Sequence, residues 1–359
     1  MAVLRRGDTG VAVADIRARL VRLRLIEPDT EASLDAAEYD DAVEQAVRAF
    51  QQQRGIPADG ICGPQTLRHL DEARWALGDR VLAFTPGHLI GGDDVLDLQQ
   101  RLTRMGFDCG RPDGIFGPLT DSALREFQRN VGMEPDGTCG FTTYWALERL
   151  TRTVGDGDAV SIRERQAMDA MRSGVAGKVI ALDPGGADAD QRFALAEATI
   201  VADVCARVEG RLAALGTQVI YTRTPAPELV GEAARASYAN TANADLVLSL
   251  HVERVQLPGA NGFATFYFGE PLGGAQSEGG RLAAEHIQAE VCQRTDLSDC
   301  RSHPRTWDLL RLTTMPAVWV EMGYLSHPGD AARLTDPRFR DTLAEAIAVA
   351  VTGFFAPAD

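Results

Sequence analysis

Several things are scarce in this sequence, and each scarcity excludes a class of protein. No stretch approaches the roughly 18 consecutive apolar residues of a membrane span. The nearest, Ala344 to Phe355, is short and carries Glu345 and Thr352, so it reads as a final core helix. Basic residues are outnumbered, 36 Lys and Arg against 51 Asp and Glu, for a formal charge of −15. A field of that sign repels phosphate backbones and anionic lipid. No basic patch offsets it, so neither nucleic acid nor a membrane is an expected partner. The six cysteines (Cys62, Cys109, Cys139, Cys205, Cys292, Cys300) lie far apart with no Cys-x-x-Cys pair, which excludes a zinc ribbon and a dithiol redox motif. The N-terminus has no apolar signal-peptide core, because Asp15, Arg17, Arg19, Arg22 and Arg24 interrupt it. The expectation is a cytoplasmic chain with reduced thiols.

What is present is ordinary globular composition at 359 residues, 45% apolar and 24% charged. That length predicts two or three domains rather than one core.

The first 150 residues contain a repeat. Ala49-Phe50-Gln51 through Pro57-Ala58-Asp59-Gly60-Ile61-Cys62-Gly63 recurs 77 residues later as Glu126-Phe127-Gln128 through Glu134-Pro135-Asp136-Gly137-Thr138-Cys139-Gly140. The phase holds through Thr66 and Thr143. Upstream, Val13, Ile16, Leu20 and Leu23 match Val95, Leu98, Leu102 and Met105 at a shift of 82, so the loop of the first copy carries a short excess. Helical spacing of these apolar residues predicts one helix per copy. A second helix is expected to end in Phe-Gln, and an Asp-Gly turn to lead into a third near Thr66 or Thr143. Asp-Gly-x-x-Gly-x-x-Thr also occurs at Asp113, Gly114, Gly117 and Thr120; the first copy, over Ala36 to Val43, has lost it. Two small three-helix modules follow, assigned to residues 1–76 and 77–150. The double Asp-Gly pattern around an Ala-x-x-x-Phe-Gln helix resembles the peptidoglycan-binding domain found beside cell-wall hydrolases. The resemblance implies a module that grips glycan or stem peptide.

Residues 151–177, with Gly155-Asp156-Gly157-Asp158, read as a linker. Over 178–359, buried strands alternate with helices. Strands are expected at Lys178 to Leu182, Val219 to Arg223, Leu246 to His251, Phe263 to Phe268 and Ala317 to Glu321, with helices at Phe193 to Leu215 and Arg235 to Asn243. The pattern predicts an α/β domain with a mixed sheet and helices on both faces. His251 and Glu321 close two strands and Glu197 opens a helix. Strand ends are where such sheets place chemistry, and two plausible metal ligands with a carboxylate base fit metal-assisted hydrolysis.

Asp183-Pro184-Gly185, Glu197, Arg235 with Asn240, Ser249-Leu250-His251, and Leu310-Arg311 through Pro316 to Glu321-x-Gly323-Tyr324-Leu325-Ser326 resemble the zinc-dependent N-acetylmuramoyl-L-alanine amidases of type 3. The resemblance implies Glu197 and His251 as zinc ligands, Glu321 as general base, and Arg311 and Asn240 in the binding set. It also implies a first zinc His directly after Asp-Pro-Gly, where this chain has Gly186. Two ligands in place of three imply that zinc is absent or weakly held and that catalysis is lost. The alternative keeps zinc through a surrogate, Asp188 or Asp190, and with it amide hydrolysis between muramic acid and L-alanine. His327 stands in place of the family's Asn, and Tyr324 in place of its Phe.

The domain order and Arg305-Thr306-Trp307-Asp308-Leu309-Leu310-Arg311-Leu312-Thr313 are similar to a cytoplasmic actinobacterial branch of the family. That branch implies regulation of peptidoglycan precursor synthesis by stimulating MurA, the enolpyruvyl transferase of the first committed step, with binding of muropeptide or precursor alongside. The branch places its controlling phosphosites in a C-terminal tail, and this sequence stops just after the last expected helix.

Overall fold

The structure, a computed structural model, describes residues 3–27, 37–151, 171–185, 194–223, 230–254, 259–269 and 275–357. It divides into two compact units, Met1–Val160 and Ser161–Asp359. Most of the expected linker lies outside the described residues.

In the first unit, α1 (Val11–Arg22), α2 (Asp41–Arg54) and α3 (Pro64–Glu72) form one copy, and α4 (Asp93–Arg104), α5 (Pro118–Asn130) and α6 (Phe141–Thr151) the other. Val13, Ile16, Leu20 and Phe50 fill the first core, and Val95, Leu98, Leu102 and Phe127 the second. The Phe-Gln pairs do not end their helices, since α2 runs on to Arg54 and α5 to Asn130. Their glutamines are buried latches instead. The Gln51 amide nitrogen lies 2.8 Å from Asp59 Oδ1, 3.0 Å from the Ile61 carbonyl and 3.0 Å from Thr66 Oγ1, while Gly60 N–H donates to Gln51 Oε1 at 2.9 Å. Gln128 repeats this with Asp136, Thr138, Thr143 and Gly137. Gln99 repeats it with Asp113, Ile115, Thr120 and Gly114. Each glycine holds a positive φ, 72° at Gly60, 75° at Gly114 and 70° at Gly137, which turns its N–H toward the glutamine at no steric penalty. In the first copy Arg17 stands at the position of Gln99 and bonds Asp40, the N-cap of α2. A short antiparallel pair, β1 (Leu82–Ala83) with β2 (Thr138–Cys139), closes the second copy, and a Leu4 to Cys62 bridge does the same in the first. Two residues per strand leave no periodicity to read.

The second unit is a six-stranded mixed sheet: β3 (Val179–Pro184), β4 (Gln218–Tyr221), β5 (Leu246–Glu253), β6 (Phe263–Phe268), β7 (Asp299–Arg305) and β8 (Ala317–Tyr324), in the order β4-β3-β5-β8-β6-β7. Strands β4, β3, β5 and β8 are parallel; β6 runs antiparallel to β8 and parallel to β7. The sequence reading missed β7. Asp-Cys-Arg-Ser-His-Pro-Arg has neither apolar alternation nor an unbroken donor row, and it is tolerated because an edge strand needs neither. Side chains alternate between the two faces. Leu248, Leu250, Val318 and Val320 face the larger core, which they share with the long helices α7 (Ala194–Ala214), α9 (Glu278–Arg294) and α12 (Pro337–Phe354). Ala181, Val247, Phe266 and Trp319 face the other side with the short helices α8 (Glu232–Thr241) and α10 (Asp308–Leu312). Between β8 and α12 lies α11 (Pro328–Thr335), whose N-cap is His327. The imidazole does there the capping that an asparagine would do.

Candidate functional site

Because β3, β5 and β8 are parallel neighbours, their C-terminal ends lie in a row. Asp183 faces Ser249 across β3 and β5, and His251 faces Glu321 across β5 and β8. All four belong to the face opposite the larger core.

Asp183 is fully buried. Its carboxylate accepts hydrogen bonds from Thr222 Oγ1 and Arg235 Nη1, and from Ser249 Oγ at 2.5 Å. Burial alone would raise this carboxyl, but the Arg235 charge and the two hydroxyls hold it below the usual carboxylate range. Ser249 Oγ also lies 2.7 Å from His251 Nε2. With the serine hydrogen directed to Asp183, Nε2–H is the donor to Ser249, so the lone pair of this imidazole is on Nδ1. The ring stacks on Trp319 with centroids 3.4 Å apart at 11°. A Cβ built on Gly185 would fall 2.2 Å from Nδ1 and 2.5 Å from each of its two ring neighbours, which puts Gly185 over the opposite ring face. Only glycine fits there. Burial pushes the imidazole down to about 3, against the pull of Asp183, so it is neutral at physiological pH. A neutral imidazole held through one nitrogen by a hydrogen-bonded carboxylate relay is the arrangement that supports metal-ligating histidines.

The other zinc positions do not complete a cage. Glu197, in the first turn of α7, lies with Oε1 3.5 Å from Arg254 Nε. A guanidinium therefore faces the carboxylate expected to bind the metal. Gly186, Asp188 and Asp190 lie outside the described residues. Among the described residues no group of three His, Cys, Asp or Glu side chains converges as a metal site, whereas a catalytic zinc takes three protein ligands and keeps a fourth position open. The described donors alone do not make a three-ligand set.

Glu321 accepts a hydrogen bond from Tyr324 Oη at 2.7 Å. Burial pushes its carboxyl up, against the Tyr324 hydrogen bond and the charges of Arg305 and His303. A carboxyl so placed can hold or take a proton. The two expected binding residues have structural work. Asn240 donates to the Leu312 carbonyl at 2.8 Å and accepts from Thr314 N–H at 2.9 Å, so both ends of the amide staple α8 to the segment before β8. Arg311 is largely buried and lies 3.5 Å from Asp308. The sequence reading also passed over Arg254 and the ring stack of Phe266, Trp307 and Trp319. The signal for the stack was the alternation in β6 and β8, which sends Phe266 and Trp319 to one face.

The amidase family model, described as N-acetylmuramoyl-L-alanine amidase, matches residues 180–353, and a peptidoglycan binding domain model matches residues 9–70 and 91–147. The N-acetylmuramoyl-L-alanine amidase CwlM of Mycobacterium tuberculosis is 41% identical over 97% of this chain and 88% of its own length. LytC of Bacillus subtilis, of the same description, is 26% identical over 54% of this chain and 38% of its own. The crystal structure of the amidase Ami1 from Mycobacterium smegmatis is 24% identical with a TM-score of 0.45, covering 51% of this chain and 99% of that one. No helix among the described residues is long and apolar enough to cross a membrane. With the strand-end row matched by the amidase model and the identity to the M. tuberculosis protein running through both units, the chain belongs to the N-acetylmuramoyl-L-alanine amidase family.

Proposed function

We propose that this protein is a catalytically silent amidase: a cytoplasmic regulator of peptidoglycan precursor synthesis that stimulates MurA and uses its cleft to bind muropeptide or precursor without cutting it. The observation that carries the reading is the reassigned donor set. Glu197 faces Arg254, and glycine occupies position 186, where the family has histidine. Retention of the Asp183, Ser249 and His251 relay does not argue for metal. It is tied to the buried Asp183–Arg235 pair, which stands in the interior whether or not zinc binds. The peptidoglycan-binding repeats and the relative in M. tuberculosis support a role at the cell wall.

The test is zinc content after chelation and reloading, with assay of stem-peptide release from peptidoglycan fragments. Substoichiometric zinc and no release are expected. Gly186→His alone should restore little metal, because Arg254 still holds Glu197; Gly186→His with Arg254→Asn should restore more. Stoichiometric zinc with turnover abolished by Glu321→Ala overturns the reading. A pull-down that recovers no enzyme of wall-precursor synthesis overturns its regulatory half.

A further inference from the structure

The row continues past Glu321 onto β6 and β7, and there the chemistry changes. His303 and Arg305 pair in register with Phe266 and Phe268, on the same face as Glu321. The Arg305 guanidinium lies 5.1 Å from the Phe266 ring centroid and 6.0 Å from that of Trp307. Those two rings are 5.0 Å apart, and Trp307 is 4.8 Å from Trp319. Arginines elsewhere in this unit meet carboxylates closely, as Arg207, Arg211, Arg281, Arg333 and Arg340 do. Arg305 has no carboxylate within 4 Å among the described residues. Its Nη1 donates to the Pro304 carbonyl at 2.9 Å, and none of its nitrogens is both enclosed and without a partner, so its other donors are open to an acceptor. Trp319, next in the stack, has a buried Nε1–H without an acceptor.

We infer that Arg305, laid on Phe266 and Trp307 beside Glu321, is an oxyanion receptor, and that it holds the carboxylate of a stem-peptide fragment in the cleft. This rests on reading the cleft as a binding site for wall fragments. A guanidinium is a planar fork that matches carboxylate or phosphate, and the aromatic planes fix it in advance and keep it partly dehydrated. Burial raises the Glu321 carboxyl, against the charge of the neighbouring Arg305.

The test is calorimetric titration of the full chain with three probes: N-acetylmuramoyl-L-alanyl-D-glutamate, the same compound with both carboxyls amidated, and uridine diphosphate. The wild type should bind the diacid at least about tenfold more tightly than the diamide, the size of one charge-assisted hydrogen bond. Arg305→Gln should lose that discrimination, and Arg305→Lys should keep part of it. Near-ultraviolet circular dichroism of the tryptophans reports whether the stack survives each substitution. Binding of uridine diphosphate more tightly than the diacid, with the same dependence on Arg305, keeps the receptor but overturns the stem-peptide carboxylate as its ligand. The inference is overturned if Arg305→Gln binds the diacid as the wild type does, if the wild type treats diacid and diamide alike, or if neither binds. Those outcomes leave catalytic silence standing, since it fails on zinc and turnover instead; if neither compound binds, the muropeptide-binding part of the proposed function falls with the inference.

Discussion

The two ends of the strand-end row are built on opposite principles. At one end, Asp183, Ser249 and His251 are closed in on one another: His251 donates to Ser249 and Ser249 to Asp183, the imidazole is clasped between Gly185 and Trp319, and Arg235 neutralises the carboxylate. At the other, Glu321 and Arg305 are half-buried, within each other's field, and keep hydrogen-bonding capacity that the fold does not use. The first end resembles a hydrolytic centre in sequence because its supporting residues are also core residues. A buried ion pair cannot lose one partner without leaving a charge stranded in the interior, so this relay persists whatever becomes of the metal. A first-sphere ligand carries no such obligation. Glycine at position 186 and a guanidinium beside Glu197 are changes the fold tolerates.

The contrast breaks first where the closed end is opened. Arg235→Ala should lower unfolding free energy by about 3–5 kcal/mol in urea denaturation, the cost of an uncompensated buried charge; a loss below about 1 kcal/mol would mean that Asp183 is not held by that pair. A smaller effect appears as a slope. The His251 imidazole titrates lower in the folded chain than in the unfolded one, so the unfolded state binds the extra proton. Stability should therefore fall as pH drops below the ordinary histidine value near 6.5, by up to about 1.4 kcal/mol per pH unit. His251→Gln should flatten the profile between pH 6.5 and 5, above the range where carboxylates such as Asp183 begin to protonate. Equal slopes in both proteins would place the imidazole in solvent. The smallest effect belongs to the open end. The Glu321 carboxyl is raised, so its favourable contribution is present at low pH and lost as pH rises through its folded value. Glu321→Gln should stabilise the chain at pH 7 by no more than about 1 kcal/mol, and a marked loss would show that this carboxylate is structural after all.

Much of this was legible in the sequence. The repeat announced itself through Phe50-Gln51 and Phe127-Gln128, and the strands carrying His251 and Glu321 followed from short apolar runs, although they run on to Glu253 and Tyr324 rather than ending at those residues. The same reading stopped the helices of the repeats short of Arg54 and Asn130, because Gln51 and Gln128 look like surface residues until their partners in the Asp-Gly turns are brought round to bury them. Strand β7 escaped because pairing at a sheet edge depends on the neighbouring strand and not on its own pattern. For Asn240 the family resemblance implies binding; only the folded chain shows both ends of its amide engaged by the segment 312–314.

The amino-acid order alone determined the module order, the paired Asp-Gly turns, the core faces of the strands and the glycine at position 186, since each of these is local or periodic along the chain. Only the folded chain decided that Arg254 meets Glu197, that Ser249 fixes the tautomer of His251, and that Arg305 rests on Phe266 and Trp307. Those are encounters between residues that the sheet order makes neighbours, and the charge state and hydrogen-bonding capacity of each group depend on what it meets there and on how much water is excluded.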